Sequence, residues 1–345
     1  IGNWEKEKEI FPLYLEISPS SFCNHSCTFC AKDFVSKKNI INPEVLMSRI
    51  EEFSKVGIKS IMFAGEGEPT LYPKLPKILD KCKNVCIDTA LTTNFTTPND
   101  SAIENFIRNC TWIKISVGAG DAKTYSQIHR CDQNDFQQLT TNIQPAIKIK
   151  EQYNYPCSLG VQIILLPENK DTVIQLGKIA KDLGVNYLVV KPHSQHPYSI
   201  NKQYKHLHTE YDRNELHDLE NNLIQFTTNN FKIIFRRETF DRCYQKSSQQ
   251  RKYTTCYSVP FFWAYIRSDG EVLGCSNWFC DSSFAYGNIH HDNFKTIWAS
   301  QSRKSNIGYM KNALSVDECR INCRMDKIND YLWELLNPDI HHNFI

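Results

Sequence analysis

The chain has 345 residues, 41% hydrophobic and 12% aromatic, enough for one large domain with a smaller one attached and for a well-packed core. Forty basic and 38 acidic residues leave a formal charge of +2, so composition offers no polyanion groove and nucleic acid is not an expected partner. No apolar run approaches about eighteen residues and no secretory leader is visible, which excludes a helical membrane span and points to a cytoplasmic protein.

In chain order, short apolar runs at 13–18, 60–64, 86–92, 112–117, 158–166 and 187–191 read as strands. Amphipathic stretches between and after them read as helices, at 43–56, 75–83, 100–109, 135–150, 170–183 and 213–227. The first helix carries an Asn42 cap with Pro43 at its first position. Six strand–helix repeats predict a parallel sheet with right-handed crossovers, and periodicity leaves an open sheet and a curved partial barrel both possible. Past residue 230 the texture changes. A further strand is expected at 231–235, and 261–267 with 271–275 forms a hairpin about Asp269-Gly270. Helices follow at 294–300 and 330–336. A boundary falls near 230–255, where Gln, Ser and Lys gather at 245–252, dividing the chain into 1–235 and 236–345.

Fourteen cysteines are the outlier, and eight of them cluster at 23/27/30, 256/275/280 and 319/323. Close spacing in a long chain without a leader favours metal ligation over disulfides. Cys23, Cys27 and Cys30 lie in a polar loop after the first strand. Three thiolates so placed bind three corners of a 4Fe-4S cube and leave one iron open; the alternative is a zinc knuckle with His25 as fourth ligand. Cys82, Cys86, Cys110, Cys131 and Cys157 fall within helix or strand patterns and are expected in the core.

The Cys-x3-Cys-x2-Cys loop, with Phe29 before its last cysteine, resembles that of the radical S-adenosylmethionine superfamily. The resemblance implies a partial (β/α)6 TIM-like barrel, an open-iron 4Fe-4S cluster that chelates S-adenosylmethionine, and reductive cleavage to a 5′-deoxyadenosyl radical. Gly65, Gly67, Glu68 and Pro69, closing the second strand, resemble the family's Gly-Glu-Pro motif. By resemblance, Glu68 grips the methionine ammonium while the glycines allow close backbone approach. Asn94 and Ser116, at the ends of the third and fourth strands, are then expected to reach the ribose and methionine.

Cys256-x13-Gly270-x4-Cys275, followed by Cys319-x3-Cys323, resembles the C-terminal auxiliary-cluster extension called SPASM, or its shorter Twitch form, a small α+β unit containing the β-hairpin. With five C-terminal candidates and Cys243 as a sixth, the count implies one auxiliary 4Fe-4S cluster rather than two. Cys280 is expected either to replace one ligand or to act as a hydrogen-atom donor near the active site. A structural zinc site is the alternative.

The segment from Lys191 to His196, including His193, Ser194 and Gln195, follows the sixth strand at the expected barrel mouth, where it binds substrate or accepts a proton. Gln162 interrupts an apolar strand and Arg130 follows the fourth; both are counted with the cofactor-binding residues. His290–His291 and His341–His342 read as solvent-facing. With one auxiliary cluster, the resemblance implies oxidation of a small polar substrate such as a sugar or cyclitol, the cluster taking an electron from an alcohol becoming a ketone. Peptide modification is the alternative, disfavoured because the cysteine loop is reached by residue 23; a non-catalytic electron carrier is another. A reductase or a flavodoxin or ferredoxin donor is expected as partner.

Overall fold

The computed structural model describes residues 10–207, 211–244 and 251–338. Ten strands form one sheet: β1 Tyr14–Ile17, β2 Ser60–Phe63, β3 Asp88–Thr93, β4 Cys110–Ser116, β5 Ser158–Leu165, β6 Tyr187–Pro192, β7 Lys232–Phe235, β8 Trp263–Ile266, β9 Glu271–Leu273 and β10 Ala285–Asn288. Their spatial order is β10-β9-β8-β1-β2-β3-β4-β5-β6-β7. From β1 to β7 each strand lies parallel beside its predecessor. Every crossover therefore steps the same way, without the reversal of a doubly wound sheet. That order decides for the partial barrel, and β7, the further strand expected at 231–235, lies beside β6 at its edge.

Alternation along the strands sorts two faces. Leu15, Ile17, Ile61, Phe63, Leu91, Ile113, Ile115, Leu159, Val161, Leu188 and Val190 pack under the helices in the main core. The other face carries Glu16, Met62, Ala64, Lys114, Ser116, Gln162 and Lys191 into the lumen. The helices on the outer face start where the caps require. Asn42 accepts from the amides of Glu44 and Val45, Asn99 from Ala102 and Asp212 from Asn214 and Glu215.

The predicted hairpin is β8–β9, with Gly270 at φ +85° and Asp269 Oδ1 accepting from the Glu271 amide. Sequence periodicity missed five pieces. Helices Ala122–His129, Arg237–Tyr244, Val259–Phe262 and Gln301–Asn312 and strand β10 are each short or weakly amphipathic, and the third of these helices takes 261–262 from the expected strand. It also missed that β8 pairs in parallel with β1, so the C-terminal hairpin continues the barrel sheet. Residues 245–250 and His341–His342 lie outside the described residues. Cys86 is no strand residue: it is exposed in a turn at φ +58°, and β3 begins two residues later. His290 is also corrected; its Nε2 accepts from the Asn42 amide at 3.1 Å, fastening the C-terminal region to the first helix.

Candidate functional site

The loop leaving β1 is folded against two neighbours before it presents any thiol. Ser26 and Thr28 amides donate to the carbonyls of His129 and Ile128, at 3.1 and 2.8 Å. On the other side the Glu68 amide donates to Phe22 O at 2.7 Å. That approach requires Gly67, because a Cβ there would lie 2.2 Å from the same carbonyl. The glycine therefore admits the protein's own cysteine loop. Gly65, at φ +120°, does the same for Ser18 and Tyr265.

Glu68 is buried at the N-cap of a 3-10 turn, Pro69–Leu71, that Pro69 begins. Its Oε1 accepts from Thr70 N (3.0 Å), Thr70 Oγ1 (2.7 Å) and Thr93 Oγ1 (2.5 Å). Among the described residues its Oε2 accepts from Asn94 N alone, at 2.7 Å, and the residue lines the cavity. Burial raises its carboxyl above the usual range, offset by those donors, so an arriving cation would restore the anion. The Asn94 side chain is committed to Asn24 Oδ1 and to Thr96. Its role in this arrangement is to hold the cysteine loop.

Cys23, Cys27 and Cys30 line one cavity of about 440 Å³ together with Gly65, Gly67, Glu68, Asn94, Ser116, Gln162, Lys191 and His193. Ser116 and Gln162 are register partners on β4 and β5. Four expected residues are not brought there: Pro69, which begins the turn after Glu68 without lining the cavity, and three more. Arg130 is the exposed left-handed cap of the Ala122–His129 helix, at φ +48°. Gln195 turns its amide into its own loop, donating to Asn201 O at 3.1 Å. Cys280 is exposed and lines neither this cavity nor the one described next.

The residue sequence reasoning passed over is His129, one position before Arg130. It is buried, stacked on Tyr125 at 4.1 Å between centroids. Gly118 N donates to its Nε2 at 3.1 Å, so the proton sits on Nδ1 and points at Cys27 Sγ, 3.2 Å away. Burial pushes the imidazole down to about 3, keeping it neutral. The signal was available in helical phase: Tyr125 and His129 are four apart, hence on one face.

A second cavity, of about 220 Å³, is lined by Cys256, Cys275, Cys319 and Cys323. Cys243 is not among them; its thiol donates to Thr239 O inside its own helix. The loop bearing Cys319 and Cys323 is anchored by Arg251, which donates to Val316 O and Arg320 O at 2.8 Å each and pairs with buried Asp326. Lys191, Ser276, Arg320, Asn322 and Arg324 line both cavities, so the two cysteine groups share a wall.

The donors fit iron–sulfur clusters better than single ions. One zinc ion with sulfur at about 2.3 Å draws its thiolates to about 3.8 Å of one another. Among the described residues, neither cysteine group contains three ligand atoms within 4.8 Å. Two mixed triads are that close among the described residues, His25, Cys27 and His129 and also His25, Cys131 and Asp135, and neither holds more than one of the clustered cysteines. His25 Nε2 is bonded to Asp135 at 3.0 Å, and its Nδ1 lies 3.5 Å from Asn94 Nδ2. In the second cavity, Trp263 Nε1 and Asn277 Nδ2 are buried donors without an acceptor among the described residues, as expected where sulfide or thiolate sulfur completes the wall, and Trp278 faces the Cys319 thiol. Burial and mutual repulsion raise Cys27 and Cys275 well above the ordinary thiol range, and lift Cys319 to about 12 by the same causes, so ionisation needs a cationic partner.

Two family models match this chain: the radical SAM superfamily over residues 17–180, and the SPASM iron–sulfur cluster-binding domain over 256–324. The chain is a radical SAM enzyme with a C-terminal SPASM domain. The radical SAM core thus begins inside β1 and the SPASM match begins at Cys256 and ends just past Cys323. A probable GTP 3′,8-cyclase of Pyrococcus abyssi is 28% identical over 167 residues, 48% of this chain and 52% of that protein. The chain spans about half the length of the curated relatives it matches first. Among solved structures, Streptococcus suis SuiB bound to S-adenosylmethionine superposes with a TM-score of 0.69 at 16% identity, covering 90% of this chain and 70% of that one. Native anSMEcpe with bound AdoMet gives 0.60 at 20% identity, covering 89% and 88%. These two show the shared fold. A radical SAM core takes a 4Fe-4S cluster and S-adenosylmethionine, and a SPASM region takes iron–sulfur. No helix among the described residues is long and apolar enough to cross a membrane.

Proposed function

We propose that Cys23, Cys27 and Cys30 ligate the S-adenosylmethionine-binding cluster, that Cys256, Cys275, Cys319 and Cys323 ligate one auxiliary 4Fe-4S cluster, and that the chamber between them oxidises a small polar substrate at an alcohol carbon. In this reading, residues 1–235 are the radical-generating unit and 236–345 the auxiliary one. The observation that carries it is the wall common to both cysteine groups, which puts a bound substrate beside each. When bound, the first cluster and S-adenosylmethionine supply a 5′-deoxyadenosyl radical that takes one hydrogen atom, and the auxiliary cluster supplies the acceptor for one electron. Glu68 receives the methionine ammonium on its Oε2. Ser116 and Gln162, neighbours on β4 and β5, contact the rest of the cofactor. His193, on the chamber wall, takes the hydroxyl proton, completing loss of two electrons and two protons from the substrate. His196 does not compete: Tyr198 N donates to its Nδ1, its Nε2 is bonded to Ser276 O at 2.9 Å, and burial holds it down to about 4. A reductase or a flavodoxin- or ferredoxin-type donor supplies the electron that starts each turnover.

The test is anaerobic reconstitution, dithionite reduction and assay for 5′-deoxyadenosine, with iron and sulfide counted on the same sample. About eight irons per chain, two four-iron cubes, with deoxyadenosine formation supports the reading. Zinc in place of iron, or full clusters with no deoxyadenosine in the presence of sugars, cyclitols and short peptides, would sink it.

A further inference from the structure

Charge is distributed unevenly over the chamber. Five cations line it, Lys32, Lys114, Lys191, Arg320 and Arg324, against two carboxylates, Glu16 and Glu68. Each carboxylate already has partners: Glu16 is ion-paired with Arg324, and Glu68 is held by Thr70, Thr93 and Asn94. Three of the cations are accounted for locally. Arg324 has Glu16. Lys32 sits among the rings of Phe279, Tyr265 and Phe34, with its ammonium 3.7 Å from the nearest centroid. Arg320 gives Nε and Nη2 to Ser194 Oγ and O, at 2.8 and 3.0 Å, both uncharged acceptors.

Lys114 and Lys191 remain. They project from β4 and β6 on the lumen face, one on each side of β5. Neither has a hydrogen bond or ion pair among the described residues; Lys114 has only the Trp112 ring at 5.3 Å. Two ammonium groups kept from bulk water within each other's field, without a counter-ion, are costly. Burial, and then repulsion from Lys114, Arg320, Arg324 and Arg236, lowers Lys191 well below its ordinary range; burial, and then Arg324 and Arg236 against the pull of Glu16, lowers Lys114 to about 8. Part of the positive charge answers the thiolates of the second cavity, which Lys191, Arg320 and Arg324 also line. Lys114 does not line that cavity and faces the chamber alone.

We propose that Lys114 and Lys191, with Arg320 beside them, form an anion-binding floor in the chamber that holds a phosphate group of the substrate. A doubly charged oxyanion matches the unmatched cations better than a single carboxylate, and its oxygens accept from lysine ammonium and guanidinium donors alike. The inference rests on the chamber being the substrate site and narrows the substrate to phosphate esters of polar molecules.

The experiment uses the holoenzyme with both clusters and S-adenosylmethionine, titrated calorimetrically with phenyl phosphate and, separately, with benzoate as the carboxylate probe. Phenyl phosphate binds, and Lys114→Met weakens it about 10- to 100-fold, the loss of one charge-assisted hydrogen bond. Lys114→Arg restores most of the affinity, which separates lost charge from lost folding, and iron and sulfide are counted on each variant. Lys148→Met, on an exposed outer helix position, leaves binding and deoxyadenosine formation unchanged. Wild-type enzyme that does not bind phenyl phosphate, benzoate bound as tightly as phenyl phosphate, or Lys114→Met binding like wild type each overturns the proposal. Absence of deoxyadenosine from wild type is a different failure, that of the radical reading, and phenyl phosphate binding is read independently of it.

Discussion

Replacing His129 by Phe keeps a ring stacked on Tyr125 and removes two hydrogen bonds at once. The buried Gly118 N–H loses its acceptor, which costs about 1–3 kcal/mol of stability. The Nδ1–H to Cys27 Sγ contact at 3.2 Å also disappears. A donor aimed at a ligating thiolate favours the reduced, more negative cluster, so its removal lowers the reduction potential. If about 1–2 kcal/mol of that bond is felt differently by the two redox states, the midpoint falls by about 40–90 mV, at 59 mV per tenfold for one electron. An EPR-monitored redox titration of the reconstituted protein reads this directly, without substrate. Gly118→Ala approaches the same contact from behind, since its Cβ would lie 2.3 Å from His129 Nε2, and shifts the potential in the same direction. An unchanged midpoint in a fully loaded His129→Phe protein would refute the assigned tautomer or the ligand role of Cys27.

Glu68→Gln turns an amide donor toward donors and removes the charge facing the methionine ammonium; S-adenosylmethionine affinity drops about 10- to 100-fold by equilibrium dialysis, with iron content retained. Asp326→Asn leaves Arg251 buried without its counter-ion, costs about 3 kcal/mol in a denaturant titration and loosens the Cys319 loop, so iron falls from about eight to about four per chain. Cys280→Ser retains full iron and full turnover, whereas Cys275→Ala keeps deoxyadenosine formation and loses product; a Cys280→Ser protein lacking four irons would place that residue in the cluster. Sulfate, whose charge is constant in this range, binds the chamber more weakly as pH rises from 7 to 9. Lys114, held to about 8 by burial and by Arg324 and Arg236 against the pull of Glu16, with Lys191 across the lumen, must be protonated to bind it. A pH-independent sulfate affinity contradicts this.

What the sequence made legible is what is local in it. The cysteine spacings, the Gly-Glu-Pro turn and the Asp-Gly hairpin each depend on residues within about twenty positions, and each stands where the pattern put it. Errors arose where a residue's direction depends on the phase of an element. Arg130 stands out in the sequence and His129 does not, because the short Ala122–His129 helix carries no clear period; one residue of helix is a turn of about 100 degrees, enough to exchange a cap for a buried contact with Cys27. Gln195 and Cys280 lie in irregular loops, where no period constrains the side chain.

The least legible part is the charge of the chamber, because no two of its cations are adjacent elements of one motif. Lys114 and Lys191 each look like single polar interruptions of buried strands, and Arg320 and Arg324 like incidental residues following Cys319 and Cys323. They meet because β8 pairs with β1 and starts the C-terminal hairpin at the barrel's open edge. The Ser268 amide then donates to buried Glu66 beside the cysteine loop, and β9 carries Cys275 back along the sheet. Arg324 can therefore reach Glu16 on the first strand, and Arg320 can reach Ser194 after the sixth. Closure of the sheet, rather than any segment of it, assembles the cationic floor. The chemistry of radical initiation is accordingly written in local motifs, while the identity of the substrate is written in long-range register.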